Sequence, residues 1–201
     1  VKVSIIDYGA GNLPSVERAL RSLGAETECV SRPEQITSGR VLVLPGVGHF
    51  SAFMVGLRER NLTAALQQAI AGGAPILGIC VGLQAMFSSS AEAPGERGLD
   101  LIHENVQALP TNVKSPHIGW NQLRRTRESV LLRDIPDDAY FYFAHSYAAS
   151  ANEPHTAAAC DHGFPFVAVL EQGNLMAVQF HPEKSGEAGW RVLRNFLEWA
   201  Q

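Results

Sequence analysis

The sequence has few cysteines, modest charge and no long apolar runs. Its three cysteines, Cys29, Cys80 and Cys160, are odd in number and widely spaced, with no CxxC pair, so neither a disulfide framework nor a zinc knuckle is expected. Charged residues make up 18%, and 16 Lys and Arg stand against 20 Asp and Glu for a net charge of -4. That balance provides no electrostatic footprint for nucleic acid or an anionic membrane. No stretch approaches the roughly 18 consecutive apolar residues of a membrane span, and the opening VKVSIIDYGAG lacks the basic region and cleavage pattern of a signal peptide. The expected location is the cytoplasm. With 201 residues, 46% of them hydrophobic, 18 Gly and 11 Pro, the chain has an ordinary globular composition, which excludes disorder, collagen and coiled coil. A sizeable core in one domain spanning residues 1–201 is the simplest organisation.

The pattern along the chain is that of an α/β protein. Residues 3–7 form a short apolar run ending in Tyr8-Gly9-Ala10-Gly11-Asn12, a buried strand followed by a tight loop. Pro14 suits the first turn of a helix that continues through Val16, Ala19, Leu20 and Leu23 to a stop at Gly24. Residues 41–44 and 76–79 are further continuous apolar strands, separated by helical sequence over about 57–71. Strands without alternation are buried on both faces, and their alternation with helices implies a parallel sheet with right-handed crossovers. After about residue 98 the sheet is expected to become mixed. Residues 140–147, 157–161, 166–170 and 175–180 read as strands, with Gln172-Gly173-Asn174 as a hairpin turn. A last helix over about 188–199 packs Val192, Leu193, Phe196 and Leu197 on the sheet, and residues 88–98 read as a surface loop.

The most informative stretch is Gly78-Ile79-Cys80-Val81-Gly82-Leu83-Gln84, directly after a strand and before helical sequence. It has the form of a nucleophile elbow, a sharp turn that lifts one side chain above the sheet between small residues that admit close backbone approach. A helix N-terminus there favours thiolate, the reactive form of Cys80. An isolated cysteine is more often a small buried hydrophobe, but the frame of Gly78 and Gly82 reverses that expectation. A thiol nucleophile requires a base, and the base an orienting group. Among seven histidines, His181 in Gln179-Phe180-His181-Pro182-Glu183 has the best setting, because continued extension would put His181 and Glu183 on one side. His145 reads as site lining or core. His49, His103, His117, His155 and His162 show no HExxH-type spacing, and neither a metal nor another cofactor is expected. For the oxyanion, Val81 supplies one backbone N–H and the loop Pro45-Gly46-Val47-Gly48 a second. Gly9-Ala10-Gly11 followed by Pro14 is a weak match to GxGxxG and reads as a turn.

GICVGLQ around Cys80, together with VQFHPEKSG from Val178, resembles the class I, triad-type glutamine amidotransferases. DYGAGNLPSVERAL, LPGVGHF, PHIGWNQ and YFYFAHSY are similar more specifically to the glutaminase subunits of imidazole glycerol phosphate synthases, along the whole chain. The resemblance implies a flavodoxin-like fold with a central, mostly parallel mixed sheet flanked by helices. It implies hydrolysis of L-glutamine through a γ-glutamyl thioester, with Cys80 as nucleophile, His181 as proton shuttle and Glu183 as its orienter. Gln84, Ser146 and Tyr147 become glutamine-binding positions, and Gly46, Val47 and Gly48 a movable oxyanion strand. The ammonia would pass to a (β/α)8-barrel cyclase subunit contacted by Trp120 and Lys184, forming a heterodimer in histidine biosynthesis. From residue chemistry alone, Trp120 is a large loop aromatic, more often core than interface. A stand-alone cysteine hydrolase or peptidase on a similar sheet, a catalytically silent binding subunit, and an amidotransferase of another pathway remain the rival readings.

Overall fold

The computed structural model describes every residue except Ser38. The chain opens with β1 (Lys2–Ile6), α1 (Leu13–Ser22) and β2 (Glu26–Val30), in which Pro14 lies within the first turn of α1 and Gly24 follows its end in the left-handed region, φ 87°. It continues with β3 (Val41–Gly46), α2 (Phe50–Glu59), α3 (Leu62–Ala71), β4 (Ile76–Cys80) and the single turn α4 (Val81–Gln84). The helical sequence over 57–71 is thus two helices rather than one. Asn61, at φ 56°, leaves the right-handed region and starts α3 in a new direction, a conformation Asn tolerates better than most residues.

Next come β5 (Phe87–Ser90), β6 (Ile102–Ala108), β7 (His117–Gln122), β8 (Arg124–Arg125), β9 (Tyr140–His145) and β10 (Tyr147–Ala149). The chain finishes with β11 (Thr156–Asp161), β12 (Pro165–Gln172), β13 (Leu175–Val178), a 3-10 turn at Pro182–Lys184 and α5 (Gly186–Trp199). The main sheet has the order β2-β1-β3-β4-β13-β12-β11-β8. Pairings from β2 across to β13 are parallel, and those from β13 to β8 antiparallel. The expected mixed sheet therefore forms, with the Gln172–Leu175 hairpin at the change of direction. β3, β4 and β13 are buried at every position, which accounts for their unalternating sequence. Val192, Leu193, Phe196 and Leu197 of α5 are buried in the same core.

Two sequence expectations need correction. Residues 88–98 are not wholly a surface loop, since β5 takes up Phe87–Ser90, pairs in parallel with β6 and anchors itself through the fully buried Phe87. A run of serines carries no apolar period to announce a strand. Nor is 140–147 one strand: β9 pairs with β7 in a two-stranded ribbon, whereas β10 pairs with β6 in a separate three-stranded sheet. The chain changes sheet at Ser146, whose carbonyl accepts the Leu109 N–H at 2.9 Å. The polar strands β2, β6 and β7 also escape sequence reading, because each has exposed or half-buried positions through most of its length.

Candidate active site

The C-terminal ends of β3, β4 and β13 are adjacent in the main sheet, with Gly46 opposite Cys80 in the parallel register of β3 and β4. Ligands of open α/β sheets bind at such carboxyl ends. Cys80 ends β4 with φ 55° and ψ -108°, an unusual conformation for a residue with a side chain and the strained one expected of a nucleophile elbow. The flanking glycines make it possible. A Cβ on Gly82 would lie 1.9 Å from the Leu44 carbonyl oxygen, and one on Gly46 would lie 2.6 Å from the Gly82 nitrogen. No side chain fits at either position. The helix that follows is a single turn, so local N–H groups rather than an extended macrodipole act on the thiol. Val81 opens that turn, and its N–H has no intrahelical acceptor.

Cys80 is 3% exposed. Its sulfur receives Gln179 Nε2 at 3.7 Å and lies 4.0 Å from the Ala144 carbonyl oxygen. His181 and Glu183 are brought together, Nδ1 to Oε1 at 3.0 Å, with side chains 4% and 1% exposed. The physical reason differs from the extended alternation expected of the sequence. The strand ends at Val178, and Pro182–Lys184 is a 3-10 turn that folds Glu183 back to the Nδ1 edge of the His181 ring. Burial disfavours the charged ring, but hydrogen bonding and charge from Cys80 and Glu183 outweigh it and lift His181 to about 10. The turn is pinned to β9, where the His181 N–H donates to the Tyr142 carbonyl at 2.9 Å and the Tyr142 N–H donates to Ser185 Oγ at the same distance.

A cavity of about 240 Å³ is lined by Cys80, Val81, His181, Val47, Gly48, Gln84 and the segment from Ala144 to Tyr147. It lies below the roughly 300–1,000 Å³ of drug-sized sites, a volume suited to one amino acid and restrictive for a peptide. A larger groove of about 920 Å³, including Pro136, Tyr140, Trp190 and Arg191, holds neither cysteine nor histidine. Gln84 donates to the Tyr147 carbonyl at 2.8 Å and to Gln179 Oε1 at 3.2 Å, so it braces the cavity wall and reaches Cys80 through Gln179. Val47 is at the cavity, but its N–H donates to the Tyr8 hydroxyl at 3.1 Å. Trp120 is 55% exposed and meets Tyr142 edge to face at 5.8 Å. Lys184 Nζ lies 5.9 Å from the centroid of the same Tyr142 ring, so the two expected partner contacts, one on β7 and one in the turn after His181, meet at Tyr142 of β9.

Three groups were missed in the sequence. Glu92 lines the cavity and accepts the Phe50 N–H at 2.8 Å at the start of α2; its small, polar surroundings hide it. Tyr8 reaches Val47 across 39 residues. The third is His117, whose Nδ1 lies 3.1 Å from His145 Nε2, while His145 Nδ1 lies 3.0 Å from the Tyr147 carbonyl. Burial foremost depresses both, His117 to about 4 and His145 to about 3, with neighbouring histidine charge adding to it. Both rings are therefore neutral, and the carbonyl at the end of the chain fixes the proton of each on Nδ1. Among the described residues no cluster of three or more His, Cys, Asp or Glu could hold a metal, and no helix is long and apolar enough to cross a membrane.

Comparison with known proteins places this geometry in context. The family model "Glutamine amidotransferase class-I" matches residues 4–199. The imidazole glycerol phosphate synthase subunit HisH of Methanothermobacter thermautotrophicus is 48% identical over 199 residues, covering 98% of each chain. The HisH subunit of Moorella thermoacetica is 45% identical over 197 residues, covering 98% of this chain and 94% of its own. A crystal structure of a glutamine amidotransferase superposes with a TM-score of 0.77 at 20% identity, covering 98% of both chains, a likeness of fold.

Proposed function

Since this chain belongs to the class I glutamine amidotransferases, and within them to the HisH glutaminase subunits of imidazole glycerol phosphate synthase, we propose that Cys80, His181 and Glu183 are its catalytic triad. The protein is a glutaminase that supplies ammonia to imidazole glycerol phosphate synthase in histidine biosynthesis. The observation that carries the residue assignment is the buried His181–Glu183 contact beside a cysteine held at positive φ. Cys80 Sγ attacks the side-chain amide carbon of L-glutamine, and the carbonyl π electrons move onto oxygen. The Nδ1–H of His181 is held by Glu183, which leaves Nε2 to take the proton from Cys80 and deliver it to the amide nitrogen; the oxyanion then collapses, the C–N bond breaks and ammonia leaves the γ-glutamyl thioester. Water then attacks the γ-glutamyl thioester with His181 as base, and the C–S bond breaks to release glutamate and restore Cys80.

The oxyanion receives the N–H of Val81, joined by that of Val47 when the peptides of Gly46, Val47 and Gly48 reorient. Ser146, Tyr147 and Gln84 shape the glutamine site, and the Glu92 carboxylate matches the charge of the substrate ammonium. On this reading residues 1–201 are one glutaminase domain, working in the cytoplasm as a heterodimer. Its partner, a (β/α)8-barrel cyclase, docks over Trp120 and Lys184 and receives the ammonia. The small cavity favours glutamine over a peptide. The test is Cys80→Ala in the assembled synthase: glutamine-dependent synthesis should vanish while synthesis from added ammonium salt persists. Loss of both would refute the separation of the two chemistries, and retention of glutamine hydrolysis would remove Cys80 from the mechanism.

A further inference from the structure

Tyr8 follows β1 and is 4% exposed, its ring packed on Phe53 with centroids 4.3 Å apart. Its hydroxyl has one proton to give and lone pairs to accept with, and both capacities are spent on a single residue. The Val47 N–H donates to it at 3.1 Å, and it donates to the Val47 carbonyl at 3.1 Å. Burial above all raises the phenol above its ordinary value, so the hydroxyl stays neutral and able to play both parts. On either side of Val47 the chain differs in freedom. Gly46 is wedged against the Cys80 turn, with no room for a Cβ, whereas Gly48 has φ 85° and open space around its Cβ position. The residues after Tyr8, from Gly9 to Gly11, are exposed.

We propose that Tyr8 is a positioning residue for glutamine hydrolysis: its hydroxyl keeps the Val47 N–H engaged and so unavailable to an oxyanion, and catalysis requires that hold to be released. The proposal rests on the reading of Val47 as the second oxyanion donor. Turning the Val47 N–H toward the cavity breaks its bond to Tyr8 and, because the same hydroxyl also grips the Val47 carbonyl, strains or breaks the second bond. The resting chain then has the Val81 donor alone, and a tetrahedral intermediate is under-stabilised until Tyr8 lets go. Docking of the cyclase supplies the differential contact energy that such a shift needs.

Tyr8→Phe removes the hydroxyl and keeps the ring on Phe53. Loss of two ordinary hydrogen bonds should increase the released population roughly 5-fold to 100-fold. Amide hydrogen exchange at Val47 in the free chain should quicken by that factor, and glutaminase turnover of the free chain should rise with it. Turnover with the ligand-loaded cyclase should change by less than about twofold, since the hold is already released there. Adding Val47→Pro to Tyr8→Phe should abolish the gain. Unchanged exchange at Val47 would show that there is no hold and overturn the proposal. Faster exchange without any rise in turnover would mean that Val47 is not the missing donor, so that the oxyanion reading fails and takes the proposal with it. A fall in free-chain turnover would overturn it by showing that Tyr8 supports the productive conformation.

Discussion

The neutral pair of His117 and His145, the second of which lines the cavity at Cys80, should make this protein sensitive to acid in a way that one substitution halves. The two rings are 5% and 6% exposed, and their folded values of about 4 and about 3 lie below the 6.5 of the unfolded chain. For a group depressed on folding, stability is fully present above the unfolded value and is lost as pH falls toward the folded one. Between about pH 7.5 and about pH 5 the unfolded chain takes up nearly one proton at each ring, which costs about 2 kcal/mol per ring, or about 4 kcal/mol for the pair. This magnitude is insensitive to the folded values as long as both lie below about pH 5. His181 acts in the opposite sense, because its folded value of about 10 means its contribution is complete below 6.5 and is lost as pH rises through about 10; it is common to both proteins compared. His117→Asn keeps a side-chain N–H that can face His145 and removes one titration. Urea unfolding followed by tryptophan fluorescence at both pH values should show the wild type losing about 2 kcal/mol more than the variant, whatever their absolute stabilities. Parallel losses, within about 0.5 kcal/mol, would mean that His117 is not held neutral and that the fixed-proton chain from His117 through His145 to the Tyr147 carbonyl does not exist.

Thiol chemistry should single out Cys80. Burial pushes Cys160 up to about 12, so Cys160→Ala, like Cys29→Ala on the exposed edge strand, should retain glutaminase activity, and peptide mapping after alkylation near neutral pH should find Cys80 modified and Cys160 untouched. Val47→Pro, once folding and cyclase binding are verified, should lower turnover in the assembled enzyme by roughly 100-fold to 1,000-fold with little change in glutamine binding, while Val47→Ala should be mild; near-normal turnover in the proline variant would place the second donor elsewhere. Glutaminase turnover should be low in the free chain and rise with ligand-bound cyclase. Trp120→Ala should weaken that complex by calorimetry, and unchanged affinity would move the partner off the face around Trp120 and Lys184.

The Cys80 turn was legible in the sequence because its requirements are local. A strand, a nucleophile and glycines two residues to either side must be contiguous, and Gly82 admits nothing larger because the Leu44 carbonyl lies against it. The buried strands β3, β4 and β13 were legible for the same reason, as short apolar runs bounded by turns. The pairing of His181 with Glu183 was also anticipated, but by the wrong conformation: Pro182 starts a 3-10 turn where extension was expected, and two residues of separation allow either. What the sequence left dark is whatever depends on sheet order. Gln84 meets Gln179 across 95 residues and Tyr8 meets Val47 across 39, because β1, β3, β4 and β13 lie side by side in the sheet although they are dispersed along the chain. His117 and His145 face each other only through the register of β7 on β9, and the apolar alternation of β7, Ile118 and Trp120, marks its exposed face rather than the buried one that carries His117. By itself the sequence determined which strands are buried and that a cysteine framed by glycines follows one of them, since side-chain chemistry and local period are carried residue by residue. Only the tertiary structure decided that the Val47 N–H is held by a phenol and that two neutral histidines brace the cavity, because hydrogen bonds between distant segments exist only once the sheet has brought their backbones within reach.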